Sequence, residues 1–133
     1  MGMKLAHVGV AVKEFGGAVK LFSSLFGRQP DRTETVADQH VQIAFFHAGS
    51  TAVELTAATA PDSPIAQFLE KRGEGVHHLS FEVEDIHAEI ARLKAAGFRM
   101  IDEQPRLGAG NSLIAFVHPM STGGVLIELC QVA

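Results

Sequence analysis

Four polar residues stand inside apolar runs that favour β-strands, and together they have the chemistry of a metal site. They are His7, Glu54, His78 and Glu128. A polar side chain buried in such a run costs free energy unless something binds it. Two imidazoles and two carboxylates form a suitable ligand set for Co²⁺, Ni²⁺, Mn²⁺ or Zn²⁺. Four protein ligands in a six-coordinate shell would leave two adjacent positions for substrate, which is a catalytic arrangement.

An internal repeat connects these four residues. Each half of the chain has one of the two histidines near the start of a predicted strand. Each half also has one of the two glutamates inside a later strand, within VEL in the first half and IEL in the second. A single histidine at a strand end is commonly structural, and a single strand glutamate commonly faces solvent. Their matched placement in both halves favours a shared metal site instead.

The elements around these residues follow the same order in both halves. Apolar stripes with helical spacing predict a helix over 13–27, ended by Gly27, and another over 84–97. Each helix follows one predicted strand and precedes three extended segments, at 32–37, 40–49 and 51–58 in the first half and 98–103, 112–119 and 124–132 in the second. Each half is therefore predicted as a βαβββ unit, repeat 1 covering about 4–58 and repeat 2 about 76–132.

A short helix is predicted between the repeats, over residues 63–73. Ser63 is a typical N-cap, Pro64 suits the first helical position, and Gly73 suits the position after the helix. We expect residues 1–133 to form a single domain of the α+β class. If the repeats pair, the strands form a concave, partly closed mixed β-sheet with the helices outside.

The doublet His77–His78 requires a choice, since adjacent strand residues point to opposite faces. The repeat selects His78 as the counterpart of His7, so His77 is expected to face the helices or solvent. Five histidines have no counterpart in the repeat and are predicted to be surface or structural residues: His40, His47, His77, His87 and His118. Cys130 shares a strand face with Glu128 and is expected to be a small buried hydrophobic residue.

Composition excludes several classes of function. The formal charge of −4 and the lack of a basic cluster argue against nucleic acid or an anionic membrane as partner. No apolar run is long enough to predict a membrane span. One cysteine cannot form an internal disulfide, and the N-terminal sequence MGMKLAHVGVAV lacks a secretory pattern. We therefore expect a cytoplasmic protein.

Two long motifs resemble one enzyme family. They are SPIAQFLEKRGEGVHH at 63–78 and HPMSTGGVLIEL at 118–129. With the duplicated βαβββ plan, they resemble the methylmalonyl-CoA epimerases of the vicinal oxygen chelate superfamily, which also includes glyoxalase I and bleomycin-resistance proteins. The resemblance implies a glyoxalase-like fold, a divalent metal ion, an acyl-CoA substrate and a homodimer. Carried over by position, the metal ligands fall on His7, Glu54, His78 and Glu128.

The resemblance also implies a reaction. An epimerase of this family would interconvert (R)- and (S)-methylmalonyl-CoA by removing the C2 proton and returning one on the other face, through a metal-stabilised enolate. Glu128 is implied as one proton-transfer group. Some members carry the second on a glutamate that aligns with Ile43, so no second group is assigned here. Substrate-binding residues are not assigned either, because Ser112, Leu113 and Met120 replace family cations.

Two other functions use the same fold. A glyoxalase I-like lactoylglutathione lyase would need basic residues for the glutathione carboxylates, and the sequence does not place them. A non-catalytic drug-binding member would generally lack the metal ligands. The intact set of four favours the epimerase.

Overall fold

The order of helices and strands repeats once along the chain. The structure, a computed structural model, describes residues 2–133. The strands are β1 (Lys4–Ala11), β2 (Arg32–Val36), β3 (Val41–Ala48), β4 (Thr51–Ala58), β5 (Gly75–Glu82), β6 (Arg106–Leu107), β7 (Leu113–Val117) and β8 (Ile127–Gln131). The helices are α1 (Phe15–Phe26), α2 (Pro64–Arg72) and α3 (Ile86–Ala95). Both halves have the predicted βαβββ order, with α2 between them.

The chain divides into two compact units, one of residues 7–77 and one of residues 2–6 with 78–133. In the first unit the strand order is β2-β3-β4-β1, with β1 parallel to β4 and the other pairs antiparallel. Helix α1 packs on one face of these strands, where Phe46 and Leu55 are fully buried. The ring of Phe26 lies 5.2 Å from that of Phe46. Burying each large apolar side chain contributes about 1.5–3 kcal/mol.

Helix α1 ends at Gly27 as its sequence predicts, and it begins at Phe15, two residues after the predicted start. The Glu14 carboxylate caps the N-terminus by accepting hydrogen bonds from the N–H groups of Gly16 and Gly17. A Cβ at Gly17 would lie 2.7 Å from Glu14 Oε1, so this glycine makes room for the cap. Gly27 ends the helix with φ of 72°, the left-handed conformation that glycine adopts without strain.

Helix α2 shows the three terminal signals that were predicted for it. The Ser63 hydroxyl accepts a hydrogen bond from the Ile65 N–H at 3.1 Å, Pro64 is the first helical residue, and Gly73 follows the helix with φ of 78°. The last turn carries Lys71 and Arg72, which suit the negative end of the helix dipole. Within residues 2–133, no helix combines the length and apolar character that crossing a membrane requires.

The second unit repeats the plan of the first. Its strand order is β5-β8-β7-β6, with β5 parallel to β8 and the remaining pairs antiparallel. Helix α3 buries Ile86, Ile90 and Leu93 against Val117 and Leu129. These three α3 residues recur at helical spacing, so a single stripe covers one face of the strands.

The extended segment predicted at 98–103 is wrong as a strand. The structure has only an isolated bridge between Met100 and Val117, and the edge strand β6 lies later in the chain. The reason is that a side-chain carboxylate, rather than a backbone carbonyl, accepts a hydrogen bond from the neighbouring strand β7. The Asp102 carboxylate accepts the Phe116 N–H at 2.8 Å, which removes that donor from a regular ladder.

The segment LGAGN, residues 107–111, turns the chain between β6 and β7. Gly110 and Asn111 have φ of 62° and 61°, and the Gly108 N–H bonds the Ser112 carbonyl to close the turn. A Cβ at Gly108 would lie 2.8 Å from Ile114 Cγ2. Glycine is needed at this position because the backbone passes so close to a side chain of β7.

Candidate metal centre and active site

The first histidine–glutamate pair lies on the two neighbouring strands β1 and β4. In the parallel ladder His7 is opposite Ala52, two positions before Glu54, so the side chains of His7 and Glu54 share a sheet face. His7 Nδ1 lies 2.9 Å from Glu54 Oε2. Leu55 points to α1, so the pair lies on the face opposite the helix. Glu54 is only 8% exposed, and its buried charge has a histidine as partner.

The second pair occupies the equivalent strands of the other unit. Glu128 on β8 is opposite Ser80 on β5, two positions after His78. His78 Nε2 lies 4.0 Å from Glu128 Oε1, and the two residues are 7% and 5% exposed. Leu129 faces α3, so this pair also lies on the face away from the helix. Each unit thus presents an imidazole beside a buried carboxylate, with His7 half-buried and His78 buried.

The spacing within each pair fits a bound metal ion. Metal bonds from histidine nitrogen and carboxylate oxygen are each about 2.0–2.2 Å, so two ligand atoms on one ion lie no more than about 4.2 Å apart. Both measured distances are within that limit. The donor types of His7, His78 and Glu128 suit a divalent metal ion.

The doublet on β5 separates as predicted. The ring of His77 packs edge-to-face on Phe68 of α2, with ring centres 4.9 Å apart and planes at 87°. The ring of His78 contacts Phe116 in the same geometry at 5.8 Å. His77 therefore supports a helix, and His78 belongs to the polar pair.

Each pair has an aromatic neighbour that was not predicted from the sequence. Phe45 is opposite Glu54 in the β3–β4 ladder, and Phe116 is opposite Glu128 in the β7–β8 ladder. These phenylalanines cover one side of the carboxylates with apolar surface. Their separation along the chain equals that of His7 and His78, and this signal could have revealed them.

An arginine lies over each of these phenylalanine rings. The guanidinium carbon of Arg32 is 3.9 Å from the ring centre of Phe45, and that of Arg106 is 5.9 Å from that of Phe116. Such contacts are cation–π interactions. The two arginines have the same separation along the chain as Glu54 and Glu128, so the repeat includes them as well. Each sheet face carrying a histidine–glutamate pair therefore also carries one positive charge at its edge.

The other histidines have surface or structural positions, as predicted. His47 bonds Asp31 through both its backbone N–H, at 2.7 Å, and its ring Nδ1, at 2.9 Å. His118 Nδ1 accepts a hydrogen bond from the Met120 N–H. His40 has a left-handed backbone conformation at the end of a 3-10 turn, and His87 is exposed on α3.

Cys130 is buried beside Ile114 and Phe116, which confirms its predicted role as a small hydrophobic residue. It shares the face of Glu128, because the two are separated by one residue on β8. Its position helps to make the surroundings of that carboxylate apolar.

Ser112, Leu113 and Met120 stand where the family resemblance predicts basic residues, and the structure shows what each of them does instead. The Ser112 hydroxyl donates a hydrogen bond to the Ala109 carbonyl at 2.8 Å, which stabilises the turn before β7. Leu113 is half-buried, and Met120 is 80% exposed. Ile43 is buried on the same face of β3 as Phe45, where it can transfer no proton.

Comparison with known proteins places the fold in a family. Residues 6–116 match the model of the Glyoxalase/Bleomycin resistance protein/Dioxygenase superfamily. The ethylmalonyl-CoA/methylmalonyl-CoA epimerase of Cereibacter sphaeroides is 37% identical over 97% of this chain and 98% of that protein. The crystal structure of methylmalonyl-CoA epimerase from Mycobacterium tuberculosis has a TM-score of 0.92 and 37% identity, over 97% of this chain and 87% of that one.

A third relative was solved with a ligand. A variant of the Streptomyces coelicolor methylmalonyl-CoA epimerase, in complex with 2-nitronate-propionyl-CoA, has a TM-score of 0.93 and 32% identity, over 98% of this chain and 94% of that one. The predicted glyoxalase-like α+β fold is confirmed by these structures. The chain therefore belongs to the Glyoxalase/Bleomycin resistance protein/Dioxygenase superfamily.

Proposed function

We propose that this chain is a metal-dependent epimerase that interconverts (R)- and (S)-methylmalonyl-CoA. The observation that carries the proposal is a histidine beside a buried glutamate at the same place in each unit, on the face away from the helix. Relatives named methylmalonyl-CoA epimerase match nearly the whole chain, which supports this substrate. The complex of one such relative with an acyl-CoA analogue supports the acyl-CoA class.

We propose that His7, Glu54, His78 and Glu128 bind one divalent metal ion, with Co²⁺, Ni²⁺, Mn²⁺ and Zn²⁺ as candidates. Two neutral imidazoles and two carboxylates balance a charge of +2, which offsets the cost of burying the carboxylates. The bound ion would supply a Lewis acid that stabilises negative charge developing on the substrate oxygens.

Glu128 is the proposed proton-transfer group. C2 of methylmalonyl-CoA is bonded to two carbonyl carbons. Removal of the proton on C2 therefore gives an enolate whose negative charge is spread over oxygen. The Glu128 carboxylate would accept this proton on one face of C2 or return one to it. Phe116 and Cys130 are buried on the same sheet face, and their apolar surface would limit access of water to the enolate.

Further properties follow from the family resemblance as proposals. Residues 1–133 would act as one vicinal oxygen chelate domain, and the match over residues 6–116 supports this. The protein would be a cytoplasmic homodimer without a nucleic-acid or membrane partner. Light scattering at several protein concentrations measures its oligomeric state directly.

The test of the function is an exchange experiment in deuterated water. Purified protein is loaded with each candidate metal and incubated with one epimer of methylmalonyl-CoA, with and without a chelator. We expect deuterium at C2 and loss of stereochemical purity, both abolished by the chelator. A parallel incubation with the glutathione hemithioacetal of methylglyoxal tests the lyase alternative. Product from the hemithioacetal, with no exchange into methylmalonyl-CoA for any metal, would contradict the epimerase.

A further inference from the structure

Ser80 is a fully buried residue whose hydroxyl has no hydrogen-bond partner within residues 2–133. An unpaired hydroxyl in the interior costs about 1–3 kcal/mol, and such a group in a native protein commonly has a catalytic role or contacts a water molecule or an ion. The presence of a serine at this buried position therefore requires a physical explanation. Its place in the fold supplies one.

The position of Ser80 puts its side chain next to Glu128. The two residues are direct partners in the parallel β5–β8 ladder, so their side chains leave the sheet on the same face. Neighbouring strands are about 4.8 Å apart, which a serine and a glutamate side chain can bridge. On the other side of Glu128, the ladder partner is Phe116, which offers no donor. The hydroxyl of Ser80 is thus a donor that the strands bring beside this carboxylate.

The first unit lacks this arrangement. There the ladder partner of Glu54 is Gly9, which is the counterpart of Ser80 in the repeat and has no side chain. The histidine, glutamate, phenylalanine and arginine of the site are the same residue types in both units. At this position the residue types differ, with serine in the second unit and glycine in the first. The difference distinguishes Glu128, the proposed proton-transfer group, from Glu54, which is proposed only as a ligand.

We propose that Ser80 is a positioning residue whose hydroxyl donates a hydrogen bond to the Glu128 carboxylate when the metal is bound. A carboxylate has two oxygens, so one can bind the metal while the other accepts this hydrogen bond. The bond would hold the carboxylate in one orientation toward both the metal and C2. The inference rests on the proposed function, because it assigns a role within the same site.

The experiment compares Ser80→Ala with wild type and with a matched control. Ser23→Ala is the control, because the Ser23 hydroxyl is also buried without a partner within residues 2–133, but lies on α1. Co²⁺ affinity is measured by competition with a chelator, thermal unfolding is measured on the metal-free protein, and kcat and KM are measured in the epimerase assay. Ser80→Thr tests whether restoring a hydroxyl restores affinity.

We expect Ser80→Ala to lower Co²⁺ affinity by about 10- to 100-fold, as is typical when a residue that orients a ligand is removed. We expect kcat to fall more than KM changes. The metal-free protein should unfold at the same or a higher temperature, because the variant removes an unpaired buried hydroxyl. Ser23→Ala should keep the wild-type Co²⁺ affinity, and Ser80→Thr should recover part of the affinity that Ser80→Ala loses.

Wild-type Co²⁺ affinity in Ser80→Ala would overturn the inference while leaving the epimerase proposal intact. A loss of affinity that parallels a loss of metal-free stability would also overturn it, since the role would then be structural. If the wild-type protein neither binds a divalent metal nor epimerises methylmalonyl-CoA, the proposed function itself fails. The measurements on the wild-type protein therefore distinguish failure of the Ser80 inference from failure of the proposed function.

Discussion

At the scale of single residues, the chemistry of this chain depends on which side of a strand each side chain leaves. His77 and His78 are adjacent, yet one packs on Phe68 of a helix and the other lies 4.0 Å from Glu128. The two residues are the same type and are adjacent on β5, so they differ only in the sheet face on which the side chain lies. A substitution at each position therefore tests the proposed metal site with a built-in control.

His78→Ala should lower the affinity for a divalent metal by more than about 100-fold, since it removes a proposed ligand. His77→Ala should keep an affinity close to that of the wild type. It should instead lower the free energy of unfolding by about 0.5–1.5 kcal/mol, through the lost edge contact with Phe68. Chelator competition and urea unfolding measure the two quantities. Equal losses of metal affinity in the two variants would contradict the assignment.

At the scale of elements, the connection from α1 to β2 depends on one carboxylate. Asp31 accepts hydrogen bonds from Arg28 and from the backbone and ring of His47, which lies at the end of β3. Its own N–H bonds the Phe45 carbonyl. The Arg28 guanidinium, followed by the two His47 donors, holds the pKa of Asp31 well below its usual range. The ionised carboxylate is therefore part of what fixes β2 beside β3.

This lowered pKa predicts a pH dependence of stability. Because the folded state holds the proton less tightly than the unfolded state, the contribution of Asp31 is complete above the unfolded pKa of about 3.9 and is lost as the pH falls toward the folded value. Asp31→Asn should therefore lower the urea midpoint at pH 7 and make it fall less between pH 5 and pH 3 than in the wild type. The exposed Asp62→Asn is the control and should follow the wild-type curve. An unchanged slope in Asp31→Asn would show that the cluster does not stabilise the fold.

At the scale of the whole molecule, the duplication predicts that equivalent core positions carry equivalent energy. Leu55 on β4 and Leu129 on β8 are counterparts in the repeat, and each is fully buried against the helix of its own unit. The proposed ligands Glu54 and Glu128 precede them directly. Each leucine therefore anchors the strand that presents a glutamate on the opposite face.

Leu55→Ala and Leu129→Ala should each reduce the free energy of unfolding by about 2–5 kcal/mol, because each leaves a cavity beside a packed helix. Leu21→Ala, at a position 66% exposed on α1, should change it by less than about 0.5 kcal/mol. Urea unfolding of the three metal-free variants measures these differences. A small loss at one leucine and a large loss at the other would show that the repeat does not preserve the energetics of its core.

The sequence by itself determined the features that depend on local patterns. Helix ends at Gly27 and Ser63 were predictable because capping needs only a few neighbouring residues. Strand alternation together with the internal repeat sufficed to select His78 over His77. The ligand candidates followed from the same repeat, since polar residues in apolar strands stand out without any knowledge of the fold.

Only the tertiary structure decided what lies beside each of those residues. Phe116 and Ser80 flank Glu128 because β8 lies between β5 and β7, and such pairings join segments far apart in sequence. The predicted strand at 98–103 failed for the same reason, since the Asp102 side chain takes a backbone donor of β7 that no local pattern reveals. Local periodicity reports which face a side chain occupies, whereas the long-range register of the strands decides its neighbours.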